Sequence, residues 1–174
     1  MDKPIQEIRV ECNSALAADT PILVGDQIIT MGALHIGYSG RDVKTVGINV
    51  FNNYILDECS ILEVPQEIYA NETVRISLAS GHKFECVPST LISTVKDGFI
   101  PVGLLEKGSK IRMILFNSDS GEIFYGEETK VVDIDKGTRI INVPVYLFIS
   151  EFENILLPYY KEGSNTIGFI NIKQ

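Results

Sequence analysis

Cysteine is scarce in this chain. Cys12, Cys59 and Cys86 are an odd number at wide spacing, which excludes a disulfide framework and fits no zinc pattern. They read as buried free thiols. Histidine is scarcer still. His35 and His82 stand alone, and no pair of His or Cys has metal-ligand spacing, so neither a metal nor another cofactor is expected. A glycine-rich phosphate loop is also missing; the 14 glycines sit singly at turns. Basic residues are outnumbered, 15 Lys and Arg against 23 Asp and Glu, for a net charge of −8. No Lys/Arg cluster breaks that balance, which argues against nucleic-acid binding. No apolar run approaches the roughly 20 residues that span a bilayer, so no membrane association is expected. The opening Met1 to Glu7 lacks the apolar core of a signal peptide, so the chain is expected in the cytoplasm.

What the chain does have is length, apolar content and a two-residue period. At 174 residues and 45% hydrophobic it is long enough to bury a core as one domain. Val74, Ile76 and Leu78 alternate, Ser80-Gly81 turns, and His82, Phe84 and Cys86 alternate again, which is a β-hairpin pattern. Pro88 ends that ladder because it has no N–H to donate. Leu91 to Thr94 and Phe99 to Val102 flank a turn at Lys96-Asp97-Gly98. Further strands are expected at 5–12, 22–24, 28–31, 43–51, 55–64, 110–116, 123–125, 129–134, 139–143, 145–150 and 166–172. Residues 151–157 are ambiguous between strand and one helical turn. Asn117 to Gly121 and Glu162 to Asn165 are rich in turn formers. Short strands with turn signals every eight to twelve residues, and no sustained 3.6 period, predict an all-β fold.

One stretch has an echo. Asp97 to Gly108 can be laid on Asp26 to Gly37 at a constant offset of 71, with Asp, Ile, Gly, Leu and Gly coinciding. Either two β-turns are alike by chance, or the chain holds two related halves.

Two blocks carry a family likeness. Ala15-Leu16-Ala17-Ala18-Asp19-Thr20-Pro21-Ile22-Leu23 resembles the opening block of the Hint (hedgehog/intein) superfamily, where a nucleophilic Cys or Ser precedes a Leu-Ala-x-Asp/Gly-Thr run. Glu85 to Thr94 resembles its second block, a Thr, two residues and a His before a strand, and 97–108 continues it. Val145-Tyr146 to Leu157 is similar to the late Val-Tyr block. The resemblance covers about residues 15–157. It implies a β-rich horseshoe of two pseudo-symmetric halves, with an N-terminal strand or arm at 1–14 and a C-terminal strand or tail at 158–174.

The family's chemistry is an acyl shift, which needs an activated nucleophile, a proton donor and an oxyanion site together. Carried over position by position, the nucleophile falls on Ala15, the Thr on Val87, the block His on Thr90 and the late His on Glu153. None of the four carries the family's reactive group, so the resemblance implies a retained scaffold without catalysis. Cys12 and Ser14 stand as displaced nucleophiles under the alternative, an autoprocessing element; a thiol would need a base or positive charge beside it. His82 shares a strand face with Phe84 and Cys86 and reads as structural. Glu151 and Glu153 are expected on one side of a strand, and Glu127-Glu128 in a turn, all as solvated charge. Tyr159-Tyr160 fits either core closure or an interface anchor.

The expected partners are other proteins. Strand addition through residues 5–12 or 166–172 is the expected mode, leaving homo- and hetero-oligomers open. The family's frequency in phage and mobile-element genomes implies a phage-encoded accessory or virion component.

Overall fold

The computed structural model describes residues 14–37, 43–136 and 138–174, without the side chains of 138–142. Its elements are β1 (Ala15–Ala17), β2 (Pro21–Val24), β3 (Gln27–Thr30), α1 (Met31–Gly37), β4 (Val43–Asn49), β5 (Ile55–Ile61), β6 (Gln66–Glu72), β7 (Val74–Leu78) and β8 (Lys83–Cys86). Then come β9 (Leu91–Thr94), β10 (Gly98–Pro101), a single 3-10 turn (Val102–Leu104), β11 (Lys110–Asn117), β12 (Ile123–Asp135), β13 (Thr138–Leu147), β14 (Asn154–Tyr160) and β15 (Thr166–Lys173). The protein is all-β apart from one short helix among the described residues.

Most strands join one sheet, in the order β10-β9-β15-β11-β12-β7-β8-β1-β13-β6, with β14 added on β15. The hairpins β2-β3 and β4-β5 stand apart from it. Strand β12 is long enough to serve two neighbours. Its first half pairs β11 and its second half β7, across a register shift between Val131 and Asp133. Two stretches expected as separate strands, 123–125 and 129–134, are therefore one, and Glu127 and Glu128 lie in a strand rather than a turn. Expectations 139–143 and 145–150 likewise merge into β13. Leu16, Ile76, Ile92, Ile111 and Ile155 are fully buried or nearly so in the main core. A second cluster, Ala15, Ala70, Val87 and Val145, packs on the opposite face of the β1-β13-β6 ladder.

The internal echo is structural. Hairpin β2-β3 pairs Pro21 with Thr30 and Ile22 with Ile29; hairpin β9-β10 pairs Leu91 with Pro101 and Ile92 with Ile100. Before each hairpin the chain makes the same turn, Thr20 N–H to Ala17 O at 3.1 Å and Thr90 N–H to Val87 O at 3.0 Å. After each hairpin a helical turn starts from the same bonds. Met31 N–H and Gly32 N–H reach Thr20 O (2.8 Å) and Ala18 O (2.9 Å). Val102 N–H and Gly103 N–H reach Thr90 O (2.8 Å) and Pro88 O (2.9 Å). Both glycines are there for room: a Cβ on Gly32 would sit 3.1 Å from the Ala18 Cβ, and one on Gly103 3.0 Å from the Pro88 Cβ. The longer turn of the second hairpin inserts one residue, so the constant offset of 71 holds only after it.

Other expectations change. Residues 31–37 form a helix that the strand reading missed, opened by a bond from Ala33 N–H to Thr30 Oγ1 (3.1 Å). Strand β6 was not expected at all. Segment 158–174 holds the end of β14 and the whole of β15, close to the strand expected at 166–172. Strand β15 lies inside the sheet, with β11 and β9 on one edge and β14 on the other. Residues 166–172 therefore have no free edge to offer a partner strand, and that route of strand addition fails. The other route, 5–12, lies outside the described residues, as does Cys12.

Candidate functional site at the Ser14–Ala15 junction

Three of the residues singled out from the sequence, Ala15, Val87 and Thr90, converge on the start of β1. Strand β1 is wedged between β8 and β13, with Leu16 opposite both Cys86 and Tyr146. The turn after β8 then folds Val87 and Thr90 over Ala15. Ala15 N–H donates to Thr90 Oγ1 (3.2 Å), and Ala15 O accepts from Val87 N–H (3.1 Å) and from the Thr90 hydroxyl (3.3 Å). All three residues are buried. The sequence thus named three groups that the fold brings together.

The fourth arrives from the other end of the chain. Loop 150–154 carries Glu153 in the left-handed region at φ +60°, exposed to solvent. Its carbonyl accepts from Gln174 N–H (2.8 Å), and Gln174 Oε1 accepts from Ser150 N–H (3.0 Å). One residue earlier, Lys173 O accepts from the Ser14 hydroxyl, whose oxygen in turn accepts from Leu91 N–H (3.0 Å). The last strand thereby lies between the junction and the Glu153 loop. Glu151 and Glu153 sit in this loop, not on a strand face. Sequence reading missed the part played by Lys173 and Gln174, because only strand register shows where β15 ends.

Asn154 holds the loop in place. It is buried, accepts from Ile48 N–H (2.8 Å) and donates to Ile48 O and Phe152 O (2.9 Å each). A side-chain amide therefore replaces a strand partner for β4, which fixes β14 against the β4-β5 hairpin.

The chemistry these groups can perform is limited. Ala15 presents a methyl, which has no heteroatom to attack a carbonyl. At its nitrogen the neighbour is a hydroxyl accepting a hydrogen bond, which neither abstracts nor delivers a proton at neutral pH. Cys86 is buried and its thiol is pushed up to about 12, chiefly by burial, so it stays protonated. Burial also raises Cys59. Ser14 is buried and donates to a backbone carbonyl, an acceptor that cannot take up its proton.

His82 is structural. Its Nε2–H is shared between Leu157 O (3.0 Å) and Gly168 O (2.9 Å), and Nδ1 accepts from the Ser80 hydroxyl (2.7 Å). Burial lowers its pKa to about 4, so the ring is neutral. Gly168 lies five residues up β15 from Lys173, about 17 Å by strand rise, so His82 is remote from the junction. Among the described residues no group of three or more His, Cys, Asp or Glu could hold a metal ion, and no helix is long and apolar enough to cross a membrane.

No protein-family model matches the chain, and no curated protein matches its sequence significantly. Solved structures do match. The solution structure of a bacterial intein-like domain from Clostridium thermocellum is similar at 18% identity and a TM-score of 0.66, covering 92% of this chain and 98% of that one. The crystal structure of an intein from a hyperthermophile is similar at 16% identity and 0.67, covering 93% and 100%. The DnaX mini intein from Spirulina platensis is similar at 16% and 0.63, covering 92% and 99%. The fold is intein-like across nearly the whole chain. At these identities the likeness is one of fold.

Proposed function

We propose that this protein is a non-catalytic module of intein-like fold that acts by binding other proteins. The observation that carries the reading is the Ser14–Ala15 junction: a methyl at the attacking position, with the Thr90 hydroxyl as acceptor at the amide nitrogen. An acyl shift there lacks both the atom that attacks and the group that protonates the leaving nitrogen. Burial of Cys86 and the carbonyl partner of Ser14 support the same reading, since neither is activated. The setting carried over from the family is a phage or mobile-element genome, which makes an accessory or virion component the expected role.

Intact-mass spectrometry of the purified chain, with and without a strong thiol, tests this. The expected result is an unchanged 19.3 kDa species under both conditions. Cleavage between residues 12 and 15 overturns it in favour of autoprocessing through Cys12 or Ser14. Affinity capture of the chain from its native host or virion, read by mass spectrometry, would name the partner; a purified virion lacking the chain would remove the virion role.

A further inference from the structure

Strand β6 is the last of the main sheet, paired on one side with β13; among the described residues no strand covers its other edge. The direction of its backbone groups follows from the junction. Ala15 directs N–H and C=O toward Thr90 and Val87, so Leu16 directs its own toward β13. Leu16 faces Tyr146, and Tyr146 faces Glu67, so the groups of Tyr146 are used on β1 and those of Glu67 point outward, beyond the sheet. The same alternation sends the Tyr69 groups outward. Its partner is Pro144, which has no N–H to give.

An open edge of this kind is a template for another strand. Its surroundings are apolar as well. Leu62 (55% exposed) and Val64 (38%) precede β6 by four and two residues, Ile36 (85%) follows His35 on α1, and Tyr69 on the strand is 60% exposed. Helix α1 is held there by His35, whose Nδ1 is 2.7 Å from Pro65 O and whose Nε2 is 3.8 Å from Glu67.

The sequence of the strand selects the partner. Two copies of Gln66-Glu67-Ile68-Tyr69-Ala70-Asn71-Glu72 laid antiparallel about a two-fold axis at Tyr69 pair along their full length. Each Glu67 then faces an Asn71 and each Glu72 a Gln66, so no carboxylate opposes a carboxylate. Ile68 faces Ala70 on the side of the second core cluster, and the two Tyr69 rings meet on the axis. Outward-pointing residues face one another, each such pair exchanging two N–H···O=C bonds. Moving the axis to Ile68 sets Glu67 against Tyr69, and moving it to Ala70 sets Glu72 against Ile68; both leave residues unpaired.

We infer that the β6 edge is a self-association surface, through which two copies of this chain form an isologous dimer with one continuous sheet. The inference gives the protein-binding reading its surface and one partner. It rests on that reading only for its biological use: cleavage at the junction would leave the dimer standing, and a monomer would leave the inert junction standing. A seven-residue strand pair with an apolar rim falls below the roughly 1,200 Å² of a stable standard interface, so a dimer of micromolar strength is expected.

Sedimentation velocity of the full chain from about 5 μM to about 1 mM tests it, with hydrogen exchange at both ends of the range. The expected result is a monomer–dimer equilibrium, with Glu67 and Tyr69 amides protected only at high concentration. Tyr69→Pro removes an outward donor that β13 does not use, and should abolish the dimer. Asn71→Lys places a cation opposite Glu67 twice per dimer and should tighten it roughly three- to tenfold. If Tyr69→Pro fails to fold, Asn71→Lys decides alone. A monomer throughout the range overturns the inference. So does a dimer indifferent to the foldable variants, or full protection of the Glu67 and Tyr69 amides in the dilute monomer, which would mean the chain covers its own edge.

Discussion

Acidification should weaken this protein through His82. The ring is 3% exposed, and its neutral form is held by two backbone carbonyls and the Ser80 hydroxyl. Burial lowers its pKa from 6.5 to about 4. Because folding lowers the value, the unfolded chain takes up the proton first as pH falls. The stability tied to the neutral ring is complete above the unfolded pKa, and is lost progressively between about pH 6.5 and 4. Linkage between pH 7 and pH 5 gives a loss of about 2 kcal/mol from this group. For a urea m-value of about 2 kcal/mol/M that is a midpoint shift of about 1 M. The assay is urea unfolding at pH 7, 6 and 5, by fluorescence or circular dichroism, for the wild type and His82→Gln. The glutamine keeps an N–H for the carbonyls but does not titrate. His35 and every carboxylate are common to both proteins and cancel in the comparison. The wild type should lose about 1 M more than the variant. Parallel lines across the pH range would refute the assignment of a buried neutral ring.

Asn154→Ala strips Ile48 of both its side-chain partners and leaves a buried N–H and C=O unmade, so a loss of about 3 kcal/mol is expected in urea unfolding. Asn154→Asp should cost a similar amount at neutral pH, because the amide donor disappears and a charge is buried. Gly81 has φ +106°, and a Cβ there would lie 2.4 Å from the Tyr159 ring. Gly81→Ala should therefore lower the melting temperature, with a loss of at least about 2 kcal/mol. Adding Tyr159→Ala should recover only the steric part, which calorimetry of the double variant would read.

How far the sequence could be read depended on the range of each signal. The β class was plain, because alternation in Val74 to Leu78 and in Phe84 to Cys86 is a local property of a half-buried strand. The repeat was visible as well, since its glycines answer to local crowding against Ala18 and Pro88. The helix at Met31 was not. It is seven residues long, shorter than two turns of periodic signal, and it follows a strand without a break. Strand β6 was hidden for a different reason: Gln66-Glu67-Ile68-Tyr69-Ala70-Asn71-Glu72 is polar because it is an edge, and an edge strand carries little apolar alternation. At the site, Ala15, Val87 and Thr90 were legible through their blocks, which are contiguous in sequence. Lys173 O beside Ser14 was not, because that contact spans 159 positions and only sheet register makes it.

The duplicated turn supplies an internal comparison that separates what the fold needs from what the junction needs. Thr20 and Thr90 occupy equivalent places, each fully buried, each with its carbonyl accepting from the first residue of a helical turn. Their hydroxyls differ. Thr90 Oγ1 bonds both the N–H and the C=O of Ala15, whereas Thr20 Oγ1 has no hydrogen-bond partner among the described residues. A hydroxyl buried without a partner costs about 1 to 3 kcal/mol relative to an apolar group of the same shape. Thr20→Val should therefore be neutral or stabilising by about 1 kcal/mol, while Thr90→Val should cost about 1 to 2 kcal/mol and leave the Ala15 N–H unmade. Urea unfolding of the two variants beside the wild type reads the contrast directly. Equal losses would mean that both hydroxyls serve the turn itself. Opposite signs would mean that the turn is set by backbone alone, and that the Thr90 hydroxyl is kept for the junction it caps.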